Sequence, residues 1–199
     1  MIITVTNTKG GVGKTTAAIY LAEACARKGH QPRVIDMDPQ GSATRWYEFA
    51  VDSGEPGWTV ENFTEYRLKQ LQPSDQPIII DCPPGDPRII EIATDLADFV
   101  VIPCKPSPDD YDRTQITYDM AGKGKAAVLI NDARLRTRAL DQIVADLDAP
   151  EDRDPFQRFE TIITHREHIV HANGTVPDKL NGFDEVLAEI EEVITDEEH

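Results

Sequence analysis

The segment Thr6–Thr16, TNTKGGVGKTT, constrains this chain more than any other. Ahead of it, Ile2, Ile3 and Val5 make a short apolar run of strand character. Behind it, Ala18, Leu21, Ala22 and Cys25 recur at helical spacing within Ala17–Arg27. Strand, glycine-rich turn and helix, in that order, are what a phosphate-binding loop requires. Gly10, Gly11 and Gly13 have no Cβ, so consecutive backbone N–H groups can close on an anion. The start of the following helix adds its partial positive charge. In such a loop Lys14 reaches the β- and γ-phosphates and the Thr15 hydroxyl ligates Mg²⁺. The expected nucleotide contacts are therefore Gly10, Gly11, Val12, Gly13, Lys14, Thr15 and Thr16.

Further apolar runs alternate with helical stretches along the chain. Strands are expected at Ile2–Thr6, Pro32–Asp36, Trp58–Asn62, Ile78–Asp81, Phe99–Ile102, Ala126–Ile130 and Thr161–Thr164. Ile78–Ile80 and Val100–Ile102 are apolar at every position, which marks central parallel strands covered on both faces. The fold class is then α/β: a doubly wound, mostly parallel sheet with helices on both faces. The chain of 199 residues is expected to form one domain over 1–199. Ligands of such sheets sit at the carboxyl ends of the strands.

Acidic residues stand at those ends. Val34-Ile35 runs into Asp36-Met37-Asp38-Pro39-Gln40-Gly41-Ser42, and Ile78-Ile79-Ile80 into Asp81-Cys82-Pro83-Pro84-Gly85. An aspartate beside a phosphate loop, here Asp36 or Asp38, can hold an attacking water in line. Asp36 is placed nearer the loop and the Mg²⁺ shell, with Ser42 available to cap the helix that follows. Asp81 has the position from which an acid holds Mg²⁺ through water.

The loop departs from the general GxxxxGK[ST] pattern, because Thr8 stands six residues before Lys14 where glycine is usual, and a second lysine, Lys9, lies inside. KGGVGKTT resembles the deviant Walker A motif of the ParA/MinD ATPases, a class of P-loop NTPases. DMDPQGS and DCPPG resemble that family's two switch segments, and VIPCKPS the segment after its next strand. The close of the chain, with Ile163, Arg166, Ala172, Gly174 and Val176, resembles small ParA proteins of the ParF type, so the likeness spans the whole chain. It implies a slow, partner-stimulated ATP hydrolase with ATP and Mg²⁺, working as an ATP-dependent homodimer. The catalytic set would be Lys9, Lys14 and Asp38, with Asp38 placing the attacking water and Lys9 reaching across to the partner's nucleotide. Thr15 and Asp81 would hold the metal, and Asn131, after the strand at 126–130, would read the adenine edge. The implied function is partition or positioning of a plasmid, chromosome or protein compartment. A cargo-bound ParB-like or other adaptor would be the activator, and the location cytoplasmic, open to nucleoid association.

Two other classes share the fold. An iron–sulfur ATPase resembling nitrogenase iron protein needs two thiolates per subunit, for which Cys82 and Cys104 are the candidates. Ligases of the dethiobiotin synthetase type lack a lysine at the place of Lys9.

Charge bounds the partners. The formal net charge is −16. Nine acids and one lysine fall within 178–199, whereas 105–138 holds seven basic and five acidic residues. Any weak nonspecific DNA contact is expected from that middle stretch, where Arg134, Arg136 and Arg138 otherwise read as solvated charge. His165, His168 and His171 do not share one helical face and are not expected to bind metal. No apolar run reaches membrane-spanning length, the final helix is acidic where a membrane-surface helix needs a basic face, and three cysteines without CxxC spacing suit a reducing compartment.

Overall fold

The computed structural model describes residues 1–122, 124–150 and 154–197. Lys123 of the basic stretch and Glu198 and His199 of the acidic end lie outside them. The chain runs β1 (Ile2–Val5), α1 (Lys14–Arg27), β2 (Arg33–Asp36), α2 (Ser42–Ser53), β3 (Thr59–Asn62), α3 (Glu65–Leu68) and β4 (Ile78–Asp81). It continues through α4 (Pro87–Leu96), β5 (Phe99–Cys104), α5 (Pro108–Ala121), β6 (Ala126–Ile130), α6 (Arg138–Asp148), α7 (Glu167–Val170) and α8 (Phe183–Glu197).

The six strands form one sheet in the order β3-β2-β4-β1-β5-β6, and every pairing is parallel. The chain winds outward from β1 to β2 and β3, returns to insert β4, then crosses to β5 and β6. The loops after β1 and β4 therefore part from one another at the centre, where such sheets open a crevice.

Alternation along the strands explains the layers. Ile3, Val5, Ile79, Val101 and Leu129 point to one face and pack with α1, α2 and α8. Ile2, Ile78, Ile80, Val100, Ile102 and Val128 point to the other, under α3, α4, α5 and α6. With both faces covered, each fully buried isoleucine contributes roughly 1.5–3 kcal/mol. Ala17, Ala18, Ala22 and Ala24 let α1 lie close to the sheet, and Phe183 of α8 meets Tyr20 of α1 at 4.9 Å between ring centroids. Trp46, Trp58 and Phe63 are buried as packing residues, whereas Tyr66 is 70% exposed.

The strand expected at Thr161–Thr164 does not form. Phe159 N–H donates to Val128 O and Ile163 N–H to Ile130 O, so two residues of β6 face four of this segment. Between those contacts the N–H groups of Glu160 and Thr161 turn onto the Glu189 carboxylate of α8, at 2.8 and 3.0 Å. The carboxylate takes the donors that a regular ladder needs, leaving isolated bridges at Arg158 and Thr164.

Candidate functional site

Gly11 (φ 77°) and Gly13 (φ 95°) hold the turn after β1 in the left-handed region, where a Cβ is strained. Gly13 is also crowded: a Cβ there would lie 2.3 Å from Asn131 Nδ2. No side chain caps the start of α1 and no acid lies in its first turn, so its leading N–H groups face the crevice with the helix dipole behind them. Lys14 is buried and donates from Nζ to Lys9 O at 2.8 Å. Burial lowers its pKa, against the pull of Asp81 and Asp38.

Register aligns the acids. Asp36 of β2 is the Cα partner of Asp81 on β4, and Asp81 that of Val5, from which the loop departs. Thr15 Oγ1 donates to Asp81 Oδ2 at 2.7 Å, while Asp81 Oδ1 is buried with no hydrogen-bond partner among the described residues. Desolvation pushes the Asp81 acid up to about 7, with Asp36 adding to the rise. A buried carboxylate with an unused oxygen beside a threonine hydroxyl fits an oxygen-coordinated divalent cation.

Asp36 is not free for the metal shell. Its Oδ2 accepts from Thr44 N at 2.8 Å and Thr44 Oγ1 at 2.7 Å, and its Oδ1 from Asp38 N at 3.1 Å. It caps α2 from the end of β2, which corrects its expected place; the residue before α2 is Gly41 in a left-handed conformation, and Ser42, the alternative cap, is the first residue of the helix. Asp36→Ala should cost about 2 kcal/mol in urea unfolding, from a lost cap and buried donors left without acceptors. Asp38 differs. Its Oδ1 accepts from Gln40 N at 2.8 Å and its side chain borders the crevice.

Two adjoining cavities flank the loop. One, of about 390 Å³, is bordered by Lys14, Thr15, Asp38, Ser42, Cys82 and Pro84. The other, of about 260 Å³, is bordered by Lys105, Asn131, Asp132, Ile163, Thr164 and Arg166. Gly11, Gly13, Thr16, Trp46 and Asn173 border both. Of the charged side chains, Lys14 and Asp38 border the first, and Lys105, Asp132 and Arg166 the second; Asp81 borders neither. Several expected residues do not line them. Val12 is buried, with its carbonyl accepting from Asn131 Nδ2 at 2.8 Å; Gly10 is exposed, near Pro84. That bond fixes Asn131 against the loop, so one of its amide hydrogens is already taken. Lys9 lies outside both cavities, with Nζ 4.0 Å from Asp109 at the start of α5.

Sequence reasoning missed Trp46, Lys105, Asp132 and Asn173 as cavity walls. Asp132 pairs with Lys105 at 2.9 Å and His165 at 2.5 Å, across three separate segments. Only the adjacency of Asp132 to Asn131 signalled it. Among the described residues no group of three or more His, Cys, Asp or Glu side chains converges as a metal site. Cys82 and Cys104 are buried, and desolvation pushes both thiols up, Cys104 to about 11. Neither supplies the accessible thiolate of an intersubunit iron–sulfur centre. Among the described residues no helix is long and apolar enough to cross a membrane.

Residues 3–175 match the CobQ/CobB/MinD/ParA nucleotide binding domain. The chain belongs to this family. As a ParA/MinD-type domain it is 29% identical over 163 residues to the maintenance of carboxysome distribution protein A of Halothiobacillus neapolitanus, which takes in 74% of this chain and 75% of that one. It is 32% identical over 144 residues to the sporulation initiation inhibitor protein Soj of Bacillus subtilis, covering 51% of this chain and 57% of Soj. Among solved structures, a variant of Cyanothece McdA in complex with ATP superimposes with a TM-score of 0.73 at 18% identity, over 98% of this chain and 96% of that one. The ParA/MinD domain thus has the doubly wound P-loop architecture that its strand pattern indicated, with every strand pairing parallel where a mostly parallel sheet was expected.

Proposed function

We propose that this chain, acting as a single domain, is a Mg-ATP-dependent ParA-like switch that partitions or positions a cargo. The observation that carries the reading is the alignment of three strand ends: the loop after β1, Asp81 bonded to Thr15, and Asp38 at the border of the same cavity. The loop N–H groups, with Lys14, grip the phosphates. Thr15 and, through water, Asp81 hold magnesium, which when bound neutralises charge on the phosphate oxygens. Asp38 accepts a hydrogen bond from the attacking water and keeps it in line. Asn131 and the cavity around it receive the adenine end. Pro83, Pro84 and Gly85 carry the loss of the γ-phosphate into movement of the segment after β4.

Lys9 supplies the step that makes hydrolysis depend on assembly. Its ammonium lies outside its own cavity, so it suits the nucleotide of a second copy across a homodimer, where a cation stabilises charge developing in transfer. Turnover is then slow alone and raised by a cargo-bound adaptor of ParB-like role. The relative named for carboxysome distribution favours a protein compartment, while the switch would serve a DNA cargo by the same mechanism, since it acts on the adaptor. Any nucleic-acid contact falls to the exposed Arg134, Arg136 and Arg138, and the site of action is the cytoplasm, including the nucleoid.

Sedimentation of the purified protein with Mg-ATP tests the reading directly: the nucleotide should convert monomer to dimer, and a monomer at saturating ATP would defeat it. Lys9→Ala should bind ATP within about threefold of wild type yet lose roughly 10³-fold or more of assembly-dependent turnover. Retained stimulation by the adaptor in that variant would remove Lys9 from the mechanism.

A further inference from the structure

Asn7 is fully buried immediately before the loop, and its amide satisfies three elements at once. Oδ1 accepts from Lys9 N–H at 2.9 Å. Nδ2 donates to Pro103 O at the end of β5, at 2.8 Å, and to Thr114 Oγ1 of α5, at 3.1 Å. Since Lys9 N–H is a donor and Pro103 O an acceptor, only one orientation of the amide serves both. The next residue is held the same way. Thr8 N–H donates to Thr117 Oγ1 at 3.0 Å, and Thr117 in turn donates to Arg113 O of its own helix at 2.8 Å. Thr114 and Thr117 are both fully buried. Asn7 and Thr8, the leading arm of the loop, are thus anchored by their hydrogen bonds to β5 and α5.

Lys9 is held at both ends of its backbone: its N–H by Asn7, its carbonyl by Lys14 Nζ. Its side chain leaves this frame toward Asp109 at the start of α5. We infer that Asn7 is a positioning residue for Lys9, and that with Thr114 and Thr117 it transmits the position of α5 to the lysine that completes a partner's site. The inference rests on the reading of Lys9 given above. Apart from Lys14, whose ammonium the Lys9 carbonyl accepts, no group in this network borders the phosphate cavity, so loss of the Asn7 amide should act on assembly and turnover and leave nucleotide binding by one subunit intact.

The test is a double-mutant cycle of wild type, Asn7→Ala, Lys9→Ala and the double variant. Each is measured by titration with a fluorescent ATP analogue, sedimentation with AMPPNP and Mg²⁺, and steady-state turnover. Asn7→Ala should bind the analogue within about threefold of wild type, weaken nucleotide-driven dimerisation about tenfold and lower kcat with KM unchanged. The double variant should be no worse than Lys9→Ala, because Asn7 acts through Lys9. Additive losses in the double variant, or wild-type dimerisation and turnover in Asn7→Ala beside an impaired Lys9→Ala, would overturn the inference alone. Wild-type behaviour of Lys9→Ala would overturn the Lys9 reading and the inference together. Should Asn7→Ala not fold, Thr117→Val takes its place in the cycle: it keeps the side-chain shape, removes the acceptor for Thr8 N–H, and carries the same expectations.

Discussion

Lys14→Ala is expected to lower ATP affinity by about 100-fold or more, a loss near 3 kcal/mol, while the protein stays folded. The effect is large because of where the ammonium sits. It is buried, its pKa is lowered by desolvation, and in the described structure it is satisfied by a single neutral acceptor, Lys9 O. Triphosphate oxygens would replace that carbonyl with charged acceptors in a poorly solvated site, where a charge-assisted bond is strongest. The stability cost is small, because removing the ammonium leaves one carbonyl without a partner and removes a cation that burial disfavours. Calorimetric titration with ATP and Mg²⁺ measures the affinity, and a urea transition run beside it confirms the fold. Unchanged affinity in a folded variant would mean that this loop does not hold the phosphates.

Asp38→Ala should bind ATP, form the dimer and stop there, with turnover down roughly 10²- to 10⁴-fold. The side chain lines the phosphate cavity, and its one described bond is to Gln40 N–H, on an exposed residue that water can serve instead. Its loss therefore removes the group that positions water with little loss of structure. Asp36, two residues earlier, is its internal control. That side chain faces Thr44 rather than the cavity, so its removal should appear in unfolding first and in turnover only through the displaced start of α2. Size exclusion with ATP reads the trapped dimer. A variant that hydrolyses normally, or that fails to dimerise with ATP, would remove Asp38 from the water-positioning role.

These contrasts separate what was legible in the chain from what was not. The loop was legible because its chemistry is local: three glycines, a lysine and a threonine within seven residues do their work through backbone that they themselves shape. The central strands were legible because Ile78–Ile80 and Val100–Ile102 are apolar on both faces, and only a sheet covered twice accommodates that. The fate of Thr161–Thr164 was not. Its composition suits a strand, but the Glu189 carboxylate, from a helix 28 residues further on, takes its N–H groups. Asn131 likewise has a strand-end position that suits base recognition, yet its amide is bonded to a carbonyl 119 positions earlier.

By itself the sequence determined the class of fold, the phosphate-gripping turn and the strands that end in acids, since each depends on neighbours along the chain. Tertiary structure alone decided how those acids divide their work. Parallel register set Asp36 beside Asp81, and the placement of α2 then drew Asp36 into capping and left Asp81 with a free oxygen beside Thr15. It also decided that Asn7, unremarkable in the chain, grips the backbone of Lys9. A polar side chain has a fixed set of donors and acceptors, but the fold chooses which groups come within 3 Å of them.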